Sequence, residues 1–166
     1  MLKRLIIFID HANLFHNLEK FGRIRIDYAK FKEILSQNHH LVGSFVYMGL
    51  PPEIYPKKKA FIKYLVAQDF IIQTKNIIIH PNGKKTQKGI GIFIYKDIVE
   101  LAQEDSYDKA ILISGDSDFV DIIKKLQELN KDYEIWGFKK SISNRLINMG
   151  EFKVHYIDDI LDQIKM

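Results

Sequence analysis

The chain has 166 residues, of which 46% are hydrophobic and none is cysteine, and its formal net charge is +4. This length and apolar content fit a single domain with a sizeable core, predicted to span residues 1–166. Without cysteine, disulfides and thiolate metal sites are excluded, so a bound cation would need oxygen or imidazole ligands. No apolar run is long enough for a signal peptide or a membrane span. We therefore expect a cytoplasmic protein with no membrane partner.

Charge is distributed unevenly along the chain. Residues 57–96 contain nine lysines and one acid, whereas residues 97–121 contain eight acids and one base. A basic segment followed by an acidic one is typical of a domain that grips a polyanion on one side and holds a divalent cation on the other. The open alternative is solvated surface charge without a partner.

The first half of the chain alternates between apolar runs and helical periodicity. A continuous apolar run at 5–9 predicts a buried strand, and a helix opens at Asp10. A helix over 27–38, a strand over 41–50, a helix over 57–68 and a strand over 70–74 follow. The Asn82-Gly83 pair then predicts a hairpin whose return arm, 84–87, carries Lys84 and Lys85.

The second half continues the same alternation. We predict helices over 89–104, from Phe119 onward, over 143–149 and over 159–165, and strands over 110–114, 133–138 and 154–157. The helix over 89–104 is apolar on most sides, which predicts that it lies inside the core. Alternating strands and helices with short connections predict an α/β fold with a central, mostly parallel sheet between two helical layers.

The segment AILISGDSDF, 110–119, contains the clearest chemical signal. It predicts a buried strand, a tight turn and a helix, which places Asp116 and Asp118 at the carboxyl end of the strand. One aspartate would suffice to cap the helix, and a capping role is the alternative interpretation. Two aspartates beside a glycine favour a cation site.

A second strand end carries the same chemistry. Asp10 leaves the strand over 5–9, and Asn13 lies one turn into the following helix. Asn13 could hold Asp10, a water or a phosphate, or could serve as a helix cap. The six histidines show no spacing typical of zinc and are interpreted as packing or surface residues.

Three motifs in order, FIDHAN, TQKGI and LISGDSDF, resemble those of the NYN domain family, the PIN-like ribonucleases of the LabA type. The resemblance implies a PIN-like (Rossmann-like) three-layer sandwich and hydrolysis of RNA phosphodiesters with Mg²⁺ or Mn²⁺. By position, it implies catalytic roles for Asp10, Asn13, Asp116 and Asp118, and metal binding by Asp10, Asp97, Asp116 and Asp118.

The expected nucleic-acid contacts lie around these acids, at Lys84, Lys85, Lys88, Ser114 and Arg145. The expected partner is RNA, single-stranded or structured, and a homodimer is an open alternative to a monomer. One position departs from the family pattern. Gly91 stands where a further carboxylate is expected, and Asp97 lies farther along the helix on a different face, so it does not simply replace it.

Two rival functions remain at this point. A haloacid dehalogenase-type phosphatase would need a second carboxylate two residues after the nucleophile, but residue 12 is alanine. A catalytically weakened RNA-binding or scaffold protein on the same fold is the stronger rival, because of Gly91.

Overall fold

The computed structural model describes residues 1–86, 89–150 and 152–166. Its strands are β1 (Arg4–Asp10), β2 (His40–Leu50), β3 (Ile71–Asn76), β4 (Ile78–Ile79), β5 (Lys85–Thr86), β6 (Lys109–Ile113), β7 (Asp132–Gly137) and β8 (Val154–Tyr156). Its α-helices are α1 (His11–Lys20), α2 (Tyr28–Leu35), α3 (Pro56–Ala67), α4 (Ile90–Gln103), α5 (Val120–Glu128), α6 (Asn144–Met149) and α7 (Leu161–Ile164). Short 3₁₀ turns, Ser117–Phe119 and Ile157–Ile160, precede α5 and α7.

Six strands form one parallel sheet in the order β3-β2-β1-β6-β7-β8. The chain builds outward from β1 through β2 to β3, then crosses to β6 on the other side of β1 and builds outward again. The strand order therefore reverses between β1 and β6. In open parallel sheets, this point is where a crevice forms beyond the carboxyl ends of the strands.

The sheet is buried between two helical layers because its central strands are apolar on both faces. On β1, Leu5, Ile7 and Ile9 pack into one core and Ile6 and Phe8 into the other. The first core also receives side chains from α1, α2, α3 and α7, and the second from α4, α5 and α6. The predicted three-layer α/β sandwich is thus confirmed.

Several local details differ from the sequence prediction. The helix predicted over 27–38 ends at Leu35, and Asn38 adopts a left-handed conformation with φ of 62°. The helix α4 is not enclosed in the core, since Ile92 is 77% exposed. The predicted hairpin forms as the antiparallel pair β4–β5, separate from the main sheet. None of the helices in the described part of the chain has the length and apolarity needed to cross a bilayer.

Candidate active site at the carboxyl ends of β1 and β6

The candidate site lies at the crevice between β1 and β6. These strands are neighbours, with Ile9 opposite Ile113, so the residues that follow them emerge side by side. Asp10 ends β1 and caps α1, and the segment from Ser114 to Asp118 connects β6 to α5. The topology therefore brings together two segments that the sequence separates by about a hundred residues.

Ser114 links the two strand ends. Its hydroxyl donates to Asp10 Oδ2 at 3.0 Å and accepts a hydrogen bond from the backbone N–H of Asp116 at 3.2 Å. The side chain is buried, so it does not offer the nucleic-acid contact expected from the resemblance. Its geometry instead fits a residue that positions Asp10.

Asn13 fixes the same junction from α1. Its backbone N–H donates to Asp10 Oδ1 at 3.4 Å, and its side-chain oxygen accepts from the N–H of Gly115 at 3.1 Å. Because the oxygen must face that N–H, the amide NH₂ group is the part left to contact a ligand. A Cβ at Gly115 would lie 2.9 Å from Cα of Ile142, so glycine is required by close packing here.

A hydrogen-bonded pair beneath the site holds α1 in place. Asn17 is buried, and its Nδ2 donates to the carbonyl of Asn13 at 2.8 Å while its Oδ1 accepts from Ser141 Oγ at 2.6 Å. Sequence reasoning missed this pair. The available signal was a polar residue on the otherwise apolar side of α1.

Asp116 caps the 3₁₀ turn with one of its two carboxylate oxygens. Its Oδ1 accepts from the N–H of Asp118 at 2.9 Å and caps the 3₁₀ turn, as the capping interpretation predicted. Within the described residues, its other carboxylate oxygen has no hydrogen-bond partner. Capping therefore accounts for only one of its two oxygens.

Asp10 is in an unfavourable electrostatic environment. Burial raises the pKa of its carboxyl, and the nearby charge of Asp116 raises it further, although the hydrogen bonds from Ser114 and Asn13 act in the opposite direction. Neither Asp10 nor Asp116 forms a salt bridge with any residue in the described part of the chain. Two carboxylates that repel each other and have no ion-pair partner are suited to binding a cation.

The other two predicted metal ligands line separate cavities. Asp97 Oδ2 accepts from the hydroxyl of Tyr47 at 2.9 Å and lines a small cavity of about 270 Å³ that also contains Lys75 and Lys96. In the part of the chain that the structure describes, no three His, Asp or Glu side chains come together as a ready metal site. Of the four predicted ligands, Asp10 and Asp116 are the two whose charges interact according to the pKa of Asp10.

Asp118 instead lines a groove of about 760 Å³ between α4 and α5. Gly91, in the first turn of α4, lines the same groove. A Cβ added at Gly91 would meet no atom within 4 Å. The position where the family pattern expects a carboxylate thus faces open space near Asp118.

The predicted cationic contacts are dispersed. Arg145 is exposed on α6, whose N-cap residue Ser143 donates its backbone N–H to the carbonyl of Gly115, so this helix begins beside the site. Lys84 is exposed in the β4–β5 turn, and Lys85 begins β5. That hairpin continues from β3, which is two strands away from β1. Lys88 lies outside the described residues.

Comparison with known proteins supports the family expected from the sequence. Residues 4–158 match the NYN domain family. The fold is similar to that of a protein of unknown function from Vibrio parahaemolyticus, with a TM-score of 0.82, 24% sequence identity, and coverage of 99% of this chain and 97% of that chain. A search of curated proteins finds no match. The chain belongs to the NYN domain family, within the PIN-like superfamily of nuclease-type folds.

Proposed function

We propose that this protein is a metal-dependent ribonuclease that hydrolyses RNA phosphodiester bonds at the junction of β1 and β6. The observation that carries the proposal is the Asp10–Ser114–Asp116 arrangement, in which Ser114 connects the buried carboxylate of Asp10 to the backbone of Asp116 and neither acid has an ion-pair partner among the described residues. Membership of the NYN family supports the choice of RNA as substrate.

The donor set fits a hard divalent cation. Mg²⁺ is usually bound by one or two carboxylates while it keeps several waters, and Asp10 and Asp116 supply that number. Mn²⁺ accepts the same ligands. When bound, such an ion supplies stabilisation of charge on the attacked phosphate and a water of lowered pKa.

The remaining residues of the site orient Asp10 and bind the phosphate of the RNA. Ser114 and the backbone N–H of Asn13 hold the two oxygens of Asp10 in place, so its carboxylate pays little reorganisation cost when a ligand arrives. The side-chain NH₂ of Asn13 can donate to a non-bridging phosphate oxygen beside it. Arg145, at the start of α6, can balance phosphate charge from the opposite side of the crevice.

The second candidate function is RNA binding with weakened turnover. It is favoured by Gly91, which lacks an expected carboxylate, and by the lack of any ready group of three acids or histidines among the described residues. A cleavage assay separates the two functions.

The test is incubation of labelled single-stranded and hairpin RNA with protein in Mn²⁺, Mg²⁺ or chelator. We expect cleavage in Mn²⁺ or Mg²⁺ and none in chelator. Asp116→Asn should reduce the rate by about 100-fold or more, because even the outer partners of metal ligands are worth about 10- to 100-fold.

The matched control is Asp69→Asn, the same chemical change at an exposed position in the turn before β3, at the opposite edge of the sheet. Asp69 has φ of 63°, a conformation that asparagine tolerates well, so this variant should cleave like the wild type. Intact RNA in every cation, with RNA still retained by the protein, would contradict catalysis and favour the binding function.

A further inference from the structure

The strongest feature not used by the proposed chemistry is a basic and aromatic surface where α1 and α3 begin. We call it the α1–α3 surface, formed by His11, Phe15, Tyr55, Lys57, Lys58 and Lys59. Both helices start at the carboxyl edge of the sheet, because α1 follows β1 and α3 follows β2. His11 comes directly after Asp10, so the surface adjoins the candidate active site.

The cationic part of this surface is uncompensated. None of Lys57, Lys58 and Lys59 forms an ion pair or a side-chain hydrogen bond within the described part of the chain. All three lie in the first turn of α3, where the helix dipole disfavours positive charge. Lys58 is also partly buried, and this burial lowers its pKa without any carboxylate to oppose it. Charge complementarity therefore points to a polyanion.

The aromatic part supplies an exposed ring. Phe15 is 50% exposed, and its ring stacks on that of His11 with 5.7 Å between centroids and 21° between planes. His11 in turn contacts the ring of Phe61 from α3, at 5.3 Å. Phe61 lies three residues after Lys58 on α3, so the ring contacts connect Phe15, through His11, to the part of α3 that carries Lys58. The exposed side chain of Tyr55, which precedes α3, extends the same surface.

His11 is a second group on this surface that is free to contact a ligand. Its side chain is only 7% exposed, yet its ring nitrogens make no hydrogen bond to any described residue. Every fully buried polar side-chain atom in that part of the chain does have a partner, so these nitrogens must still reach solvent. A nearly buried ring that keeps an unpaired N–H at the surface is suited to donate to a bound oxygen.

We infer that the α1–α3 surface is the binding track for single-stranded RNA entering the candidate active site, an inference that rests on the proposed function. Lys57, Lys58 and Lys59, with the His11 ring, hold backbone phosphates, and Phe15 stacks on an unpaired base. Stacking on an exposed ring requires a base that is not already paired, so the surface selects single strands over duplexes. This track is formed by α1 and α3, and it uses other residues than the hairpin lysines expected from the sequence.

The test measures binding in chelator, so that cleavage does not interfere. A short fluorescent single-stranded RNA and its duplex are titrated by anisotropy at several salt concentrations. Lys58→Gln should weaken single-strand binding several-fold and reduce the slope of log K against log salt by about 0.7, the value for one lost phosphate contact. Phe15→Leu should weaken binding by about 5- to 150-fold and leave the slope unchanged.

Lys20→Gln is the matched control, because it removes the same charge from the last turn of α1, far from the carboxyl edge. It should bind RNA like the wild type. Thermal unfolding of each variant checks that the fold is retained. Wild-type affinity in both Lys58→Gln and Phe15→Leu, equal affinity for duplex and single strand, or no RNA binding by the wild type would each overturn the inference.

A parallel cleavage assay in Mn²⁺ keeps this inference separate from the proposed function. RNA bound through Lys58 and Phe15 but left intact would contradict the nuclease and support the track. RNA cut at the wild-type rate by both variants would overturn the track and support the nuclease.

Discussion

Gly91 is the residue at which this chain departs most clearly from the family pattern. It occupies the first turn of α4, shares a groove with Asp118 and has open space where a side chain would extend. A carboxylate would therefore fit here without steric cost. Its absence leaves Asp118 without the neighbour that the resemblance predicts.

We predict that Gly91→Asp strengthens the response to Mn²⁺ and raises the rate of RNA cleavage. Replacing a helical glycine is worth about 0.5–1 kcal/mol, and an acid in the first turn adds about 0.3–1 kcal/mol, so the metal-free variant should fold at least as stably despite repulsion from Asp118. Cleavage rates and Mn²⁺ titrations followed by thermal unfolding provide the measurement. Gly91→Asn controls for the side chain without the charge, and equal behaviour of the two variants would refute the prediction.

At the residue scale, the sequence predicts that Asp10 and Asp116 follow neighbouring strands, but it does not show what their neighbours contact. Asp10 directly follows a continuous apolar run, and Asp116 follows another after only Ser114 and Gly115. Ser114, the residue after β6, was expected to contact nucleic acid, but its side chain is buried and donates to Asp10. Asp97 was expected near the metal, but its contact is with Tyr47, which only the pairing of β2 with β1 brings to that position.

At the scale of elements, hydrogen bonds between Arg4 and Asp108 join β1 to β6 at the end of the strands opposite the site. Arg4, at the start of β1, donates from Nη2 to Asp108 Oδ1 at 2.8 Å and from Nε to Oδ2 at 3.2 Å. The backbone N–H of Arg4 also donates to Oδ2, at 2.9 Å. These hydrogen bonds from Arg4 lower the pKa of Asp108 to about 2.

We predict that Asp108→Asn destabilises the protein at neutral pH but not in strong acid. Because the folded-state pKa is depressed, the contribution is fully present above the ordinary value of 3.8 and is lost as the pH falls through about 2. The side chain is 40% exposed, so solvent screening limits the effect to about 1 kcal/mol. Urea unfolding at pH 7 and near pH 2 measures it, and a difference that persists at the lower pH would contradict the assignment.

Element types were largely predictable from sequence, whereas their surroundings were not. Continuous apolar runs predicted the central strands because only strands covered on both faces read that way. The same reasoning placed α4 inside the core, but one side of it, at Ile92, faces solvent. When a helix is apolar on most sides, its sequence pattern does not show which side lacks a packing partner. The extent of the hairpin followed from Asn82-Gly83, but its separation from the main sheet did not.

At the scale of the whole molecule, a cation at Asp10 and Asp116 should stabilise the fold by mass action. Mn²⁺ at about 100 times its dissociation constant contributes about 2.7 kcal/mol. For a domain of this size, that free energy raises Tm by about 5–10 °C. Asp116→Asn should remove most of the shift, and Asp69→Asn should retain it. Calorimetry measures the shift in Tm for each variant. An equal shift in Asp116→Asn and Asp69→Asn would place the cation elsewhere.

The contact between β1 and β6 also sets the order in which the site can be assembled during synthesis. Asp10 and Ser114 are separated by 104 positions, so the ribosome synthesises Asp10 long before it synthesises β6. Until then β1 has a partner on only one side, and its other edge is open to mispairing. The two carboxylates can meet only after most of the chain has been made. A nascent chain still close to ribosomal RNA therefore lacks a complete site.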